Sequence, residues 1–354
     1  MASVFACLLV STAIADDGPP DVVVLTSPTN ARARTRIAGR VVDYDANQVV
    51  IETNDGRELK RPGGLVVEIE SRWTPAQTAG DGHYARHEFR EALADYDTAL
   101  RKEQRRWVQR MIVARMVVCH RELGRLDAAG TRFLNLVRDD PDTPYFDAIP
   151  LTWLPGEPSP ALEQAARQWL AGDSPVANLL GASHLLSTGS RPAAVDRLER
   201  LALEKDPRIA ALSQAQLWRT QSVKAGDEHL ARWSAMIERF PQPLRAGPYL
   251  VLGHALAQRG KTLPAALALM RVAVLFPRER TLVADALWET GRLLEQLGQT
   301  PGAAHLYQEL AAGYTDEMVA AGARNRLEEL KIDEKPPAAP TAPQGDTFDE
   351  RFLD

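Results

Sequence analysis

His83 and His87 stand four residues apart, the spacing that puts two imidazoles on one face of a helix, with Glu88 and Glu91 close by. Such a set could hold zinc as a metalloprotease helix does. The run His87-Glu-Phe-Arg-Glu91 nevertheless lacks the second histidine of that motif, so a structural role is expected. Ala255-x4-Gly260-Lys261-Thr262 satisfies a relaxed phosphate-loop pattern. A phosphate loop needs a strand before the glycines and a helix N-terminus after them, and here a helical pattern precedes. Cys119 adjoins His120, but successive residues of a helix face different ways and make a poor nucleophile–base pair. The remaining histidines are scattered, and no Ser–His–Asp spacing is present. The sequence therefore predicts no catalytic residue, no cofactor and no metal.

Charge is the other candidate chemistry. Lys102, Arg106 and Arg110 share a helical face with Arg101 and Arg105 beside it, and Arg32, Arg34, Arg36 and Arg40 lie near the N-terminus. Such clusters could hold nucleic acid, anionic lipid or an acidic peptide. Aromatic interleaving is limited to Trp107, and Asp95, Asp97 and Glu103 offset the field, so a solvated face is the expectation. The whole chain argues the same way: 42 Lys+Arg against 47 Asp+Glu give a net charge of −5. A dedicated nucleic-acid binder carries a basic excess. Two cysteines in 354 residues exclude a disulfide framework, and an aromatic content of 6% favours helix over sheet.

The elements that position these residues change along the chain. Residues 1–15 read as a secretory signal, an apolar run ending Ala13-Ile14-Ala15 before two aspartates, although its start carries no Lys or Arg. Cys7 lies inside that run, which argues against a lipidation site, and cleavage would leave Cys119 as the sole thiol. Residues 21–71 hold short β-branched runs at Asp21–Leu25, Ile37–Val42, Gln48–Glu52 and Leu65–Ile69. Asn54-Asp55-Gly56 between them is a hairpin signal. Four or five strands in that length predict a small β-domain of SH3-like or Sm-like type.

From about residue 76 the period is helical and repeats. Tyr249, Leu252, Gly253, Leu256, Gly260, Ala265, Leu269, Val272 and Pro277 are echoed 38 residues later by Leu287, Gly291, Leu294, Gly298, Ala303, Tyr307 and Leu310. Weaker copies run through Val113, Met116, His120, Gly124, Ala129 and Phe133, through Gly80, His83, Phe89, Ala92 and Tyr96, and through Ala182, Leu185, Gly189, Ala194 and Leu198. A degenerate stretch with Trp218 and Trp233 separates the stops at Pro207 and Pro241. This pattern resembles the tetratricopeptide-repeat family. The resemblance implies a mainly α fold, an α-solenoid of stacked helix pairs over 76–141 and 161–331, closed by a capping helix. Residues 142–160, rich in proline with Tyr145, Phe146 and Trp153, predict an insertion loop lying across the array. Residues 332–354 predict a disordered Pro-rich acidic tail.

In that family a peptide lies in the groove lined by the first helix of each pair. The resemblance thus implies a protein or peptide partner and a groove of Val118, Arg121, Leu179, Leu250, His254, Trp288, Arg292 and Glu295. Ala114, Ser183, Leu186 and Ala257 are further groove positions that the resemblance implies. The Lys/Asn set that clamps a terminal carboxylate in chaperone-tail binders is missing. Phe348, Phe352 and Leu353 form a short amphipathic motif on the tail, suited to docking on a partner. The expectation is a non-catalytic scaffold of the cell envelope, exported to a periplasm-like compartment and lacking a transmembrane segment. Homo-oligomerisation is left open. The alternatives are an enzyme with its site in the β-unit or insertion loop, and a polyanion binder using the arginines.

Overall fold

The computed structural model describes residues 20–27, 29–30, 32–314 and 318–331. The signal segment at 1–15, the tail and its Phe348, Phe352 and Leu353 lie outside them. The chain is mainly α, with a small antiparallel sheet followed by helix pairs. Its described residues fold as two compact units, one drawn from 20–119 and 135–148, the other from 120–134 and 149–331.

The first unit opens with β1 (Asp21–Thr26), β2 (Arg34–Tyr44), β3 (Gln48–Glu52), β4 (Glu58–Pro62) and β5 (Val66–Glu70). The strand order is β4-β3-β2-β1-β5, all antiparallel. Gly56, at φ 77°, makes the β3–β4 turn that its Asp-Gly signal predicts. Helices α1 (Pro75–Ala85), α2 (Phe89–Lys102) and the start of α3 (Arg106–Glu122) follow in the same unit. Trp107 of α3 is buried and donates from Nε1 to the Val41 carbonyl at 3.2 Å. Arg105 lies over the rings of Trp73 and Trp107, and also donates to Ser71 Oγ at 2.7 Å. Arg110 is ion-paired to Asp43 and to Asp140. The sheet is therefore stitched to the first helices rather than set apart from them.

After α4 (Leu126–Asp139), the second unit continues through α5 (Pro160–Ala171), α6 (Pro175–Leu185), α7 (Arg191–Leu201), α8 (Pro207–Gln221), α9 (Asp227–Ile237) and α10 (Ala246–Gln258). It ends with α11 (Thr262–Leu275), α12 (Arg280–Gln296), α13 (Thr300–Gly313) and α14 (Met318–Glu329). Here α6, α8, α10, α12 and α14 each touch the next, while the odd-numbered helices flank them. That makes a continuous layer of first helices, the face a repeat array offers to ligands. None of the described helices is long and apolar enough to cross a membrane.

One contact geometry recurs in three of the described helix pairs. A Cβ on Gly253 would come within 2.6 Å of Leu269, and one on Gly291 within 2.5 Å of Tyr307, sixteen residues on in each case. Gly80 and Tyr96 repeat the same spacing and closeness in the first unit. Seven residues after Gly253 and Gly291, Gly260 and Gly298 end the first helix at φ near 70°, as Gly124 does after α3. His87 holds the corresponding place after Gly80, also left-handed at φ 63°. Gly189 sits in the α6–α7 turn without a left-handed φ. Between α8 and α9, where the repeat is degenerate, Trp218 and Trp233 stack at 5.0 Å in place of the small–large fit.

Candidate interaction surface

Residues 149–157 run as an extended strap along the layer of first helices in the second unit. Thr152 is its anchor. Its N–H donates to Ser183 Oγ at 3.0 Å, its carbonyl accepts from Gln216 Nε2 at 3.1 Å, and its hydroxyl lies 2.6 Å from His184 Nδ1. Further along, Gly156 accepts from Ser187 Oγ at 2.6 Å. Trp153 presses on Gly247 of α10, where an added Cβ would come within 2.0 Å of the indole. Ile149 and Leu151 are buried. Five prolines between 144 and 160 explain the extended course, because proline denies this stretch helical hydrogen bonds. The groove of α6, α8 and α10 is thus filled by the chain itself.

Polar groups beneath the strap are organised around it. Arg219 Nη1 donates to Gln216 Oε1 at 2.6 Å, which turns the Gln216 amide nitrogen toward Thr152. Burial pushes the His184 imidazole down to about 4, with the Arg219 charge adding to the effect. His254 on α10 behaves oppositely. Burial opposes its protonation, yet the hydrogen bond to Asp285 at 2.7 Å and that residue's charge raise its pKa above the ordinary value.

Beyond the strap the groove opens. A cleft of about 680 Å³ between α12 and α14 is lined by Trp288, Arg292, Glu295, Gln296, Asn325 and Arg326, among others. Gly322 of α14 gives Trp288 its room, since a Cβ there would meet the indole at 3.2 Å. Glu295 accepts from Tyr307 Oη at 2.6 Å and pairs with Arg326, whose hydrogen bonds hold the carboxyl below the usual range. Arg292 is exposed, and among the described residues it bonds to Glu289, at 3.2 Å. The cleft offers the Trp288 ring and the exposed Arg292 guanidinium.

The residues expected in the groove are therefore distributed unevenly. Trp288, Arg292 and Glu295 converge on the open cleft, and His254 borders a separate cavity under the strap. Leu179 and Leu250 are fully buried in helix packing, so the structure removes them from any ligand-facing surface; both fall on the inward side of helices that are apolar nearly all round. Val118 is half-buried on α3. Arg121 is consumed by Glu122 and by Glu279 at 3.1 Å. Nothing in the sequence marked Thr152, His184 and Gln216 as the fastening of the strap.

The other chemistry-bearing motifs have local partners. His83 lies 2.6 Å from Glu88 and 3.5 Å from Asp95, with Arg86 on the same carboxylate as Glu88 offers to His83, while the His87 ring lies 5.8 Å from that of Phe89. Gly260 and Lys261 form a helix–helix turn, and Lys261 Nζ contacts Asp227 at 2.8 Å. Arg36 is paired with Glu70, Arg40 with Glu52, and Arg106 with Asp139. Most of the arginine clusters are accordingly neutralised within the chain.

The sequence matches no family model and no curated protein. Among solved structures it is similar to the TPR2AB-domain:pHSP90 complex of yeast Sti1, at 14% identity over 72% of this chain and 95% of that one, with a TM-score of 0.25. It is also similar to Acl4, the assembly chaperone of RpL4 (residues 1–338), at 18% identity over 73% and 97%, with a TM-score of 0.31. The helix-pair fold rests on this chain's own geometry.

Proposed function

We propose that this protein is a non-catalytic interaction scaffold, and that it takes a peptide or helix of a partner protein in the α12–α14 cleft. The observation that carries this reading is the division of the groove: the chain fills it over α6, α8 and α10, and leaves Trp288 and Arg292 open. An aromatic face beside an exposed guanidinium suits an apolar anchor with an acidic neighbour. The same reading places the protein in the cell envelope after export, on the strength of the signal-like residues 1–15.

A photo-crosslinking residue at Gln296 or Asn325, compared with one at the exposed Leu203, tests the cleft. A discrete adduct from the two cleft positions, abolished by Trp288→Ala, is expected; equal labelling from Leu203 would refute the assignment. N-terminal sequencing of the mature chain from a fractionated cell tests export, and an unprocessed Met1 in the cytosol would overturn it.

A further inference from the structure

The cavity under the strap is built from different groups than the cleft. It measures about 250 Å³, and its wall includes Trp153, Leu186, Arg191, Arg219, Val251 and His254. Arg219 is the decisive member. Among the described residues it has no carboxylate partner: its hydrogen bonds go from Nη1 to the Ser183 carbonyl and to Gln216 Oε1. Burial depresses its pKa to about 10 with no opposing acidic contribution. A guanidinium that has lost much of its water without gaining a counter-ion is costly unless an anion arrives. Arg191, exposed at the rim, likewise has no acidic partner among the described residues. His254 also lines the wall, but Asp285 pairs with its Nε2 at 2.7 Å and balances its charge, so the two arginines carry the positive character. Among the described residues no acidic side chain lines the cavity.

We infer that this cavity binds a small organic carboxylate. The unused edge of the Arg219 fork matches a planar carboxylate, and Arg191 supplies a second donor set from the rim. Trp153, Leu186 and Val251 give the apolar wall that a carbon body needs, and the volume limits that body to something below drug size. The site is independent of the α12–α14 cleft. Because the strap forms one wall, a bound carboxylate also fastens Trp153 onto the groove.

The test is calorimetric titration of the full chain with phenylacetate, with phenylacetamide as its neutral counterpart and inorganic phosphate as the charge-only probe. Saturable binding of phenylacetate is expected, at least tenfold tighter than that of either control. Arg191→Gln, a rim substitution that leaves the Thr188–Arg191 backbone turn in place, is expected to weaken phenylacetate roughly tenfold with an unchanged melting temperature. Arg219→Gln should abolish binding; its unfolding temperature is read alongside, and Arg191→Gln decides the matter if that variant misfolds. Equal affinity for the amide, equal affinity for phosphate, indifference to Arg191→Gln, or no heat at millimolar phenylacetate would each overturn the inference.

Discussion

His184 Nδ1 and Thr152 Oγ1 are 2.6 Å apart, and this bond fastens a proline-rich segment to a helix on which the imidazole is almost wholly buried. The folded chain favours the neutral imidazole, since burial and the nearby Arg219 oppose its protonation. The folded value of about 4 against an ordinary 6.5 fixes the sign. Between those values the unfolded chain binds a proton that the folded chain refuses, so stability rises with pH across the window. It is fully present above 6.5 and lost as pH falls toward 4. The expected loss between pH 7 and pH 5 is about 2 kcal/mol, read by urea unfolding. His184→Gln should flatten that slope. His254 contributes with the opposite sign: Asp285 raises its pKa despite burial, so its share is present below 6.5 and fades as pH climbs through the raised value.

Removing the strap's aromatic anchor should free it. Trp153→Ala takes away the indole seated on Gly247, and a partly buried aromatic truncation costs about 2–3 kcal/mol. Hydrogen exchange should accelerate at Thr152, whose N–H is bonded to Ser183, while α12 and α14 keep their protection. Unchanged exchange at Thr152 would mean that the strap is held by its polar bonds alone.

The pair geometry predicts two glycine exchanges of opposite sign. Gly291→Ala forces a methyl to within 2.5 Å of Tyr307, and overpacking of that kind costs about 1–3 kcal/mol, more than alanine's helix propensity returns. His87→Gly relieves a left-handed histidine at φ 63°, for a gain of up to about 1 kcal/mol. Urea midpoints of the two variants should move apart on either side of the parent.

Two arginines of one cluster should differ sharply. Arg110 is mostly buried and faces Asp140, whose carboxyl is pushed up by burial and held down by that guanidinium. Arg110→Ala strands the acid, at a cost of roughly 3 kcal/mol. Arg106 and Asp139 are exposed, so Arg106→Ala should change stability by less than about 0.5 kcal/mol. Thermal unfolding of the two variants checks the contrast.

How far the sequence could be read follows from these same residues. The helix pairs were legible because Gly253–Leu269 and Gly291–Tyr307 obey a local spacing that sterics enforce. Strand β4, Glu58–Pro62, was invisible because its side chains are mostly exposed and polar, and only pairing with β3 makes it a strand. Trp288, Arg292 and Glu295 line one cleft among the C-terminal pairs. The burial of Leu179 and Leu250 was not legible, because α6 and α10 are covered on nearly every side and register alone does not say what covers them. The anion-seeking character of Arg219 was equally hidden: it depends on which side chains segments distant in sequence bring to the cavity wall.

The strap across α6, α8 and α10 is also a competitor. A free peptide offered to those helices meets an occupant tethered at both ends, whose effective concentration is on the order of millimolar. Micromolar peptides cannot displace it unless their affinity for bare groove exceeds the strap's by that margin. On the proposed function, recognition shifts toward the C-terminal end of this array, and the first half of the groove serves as a fixed internal support rather than a vacant berth.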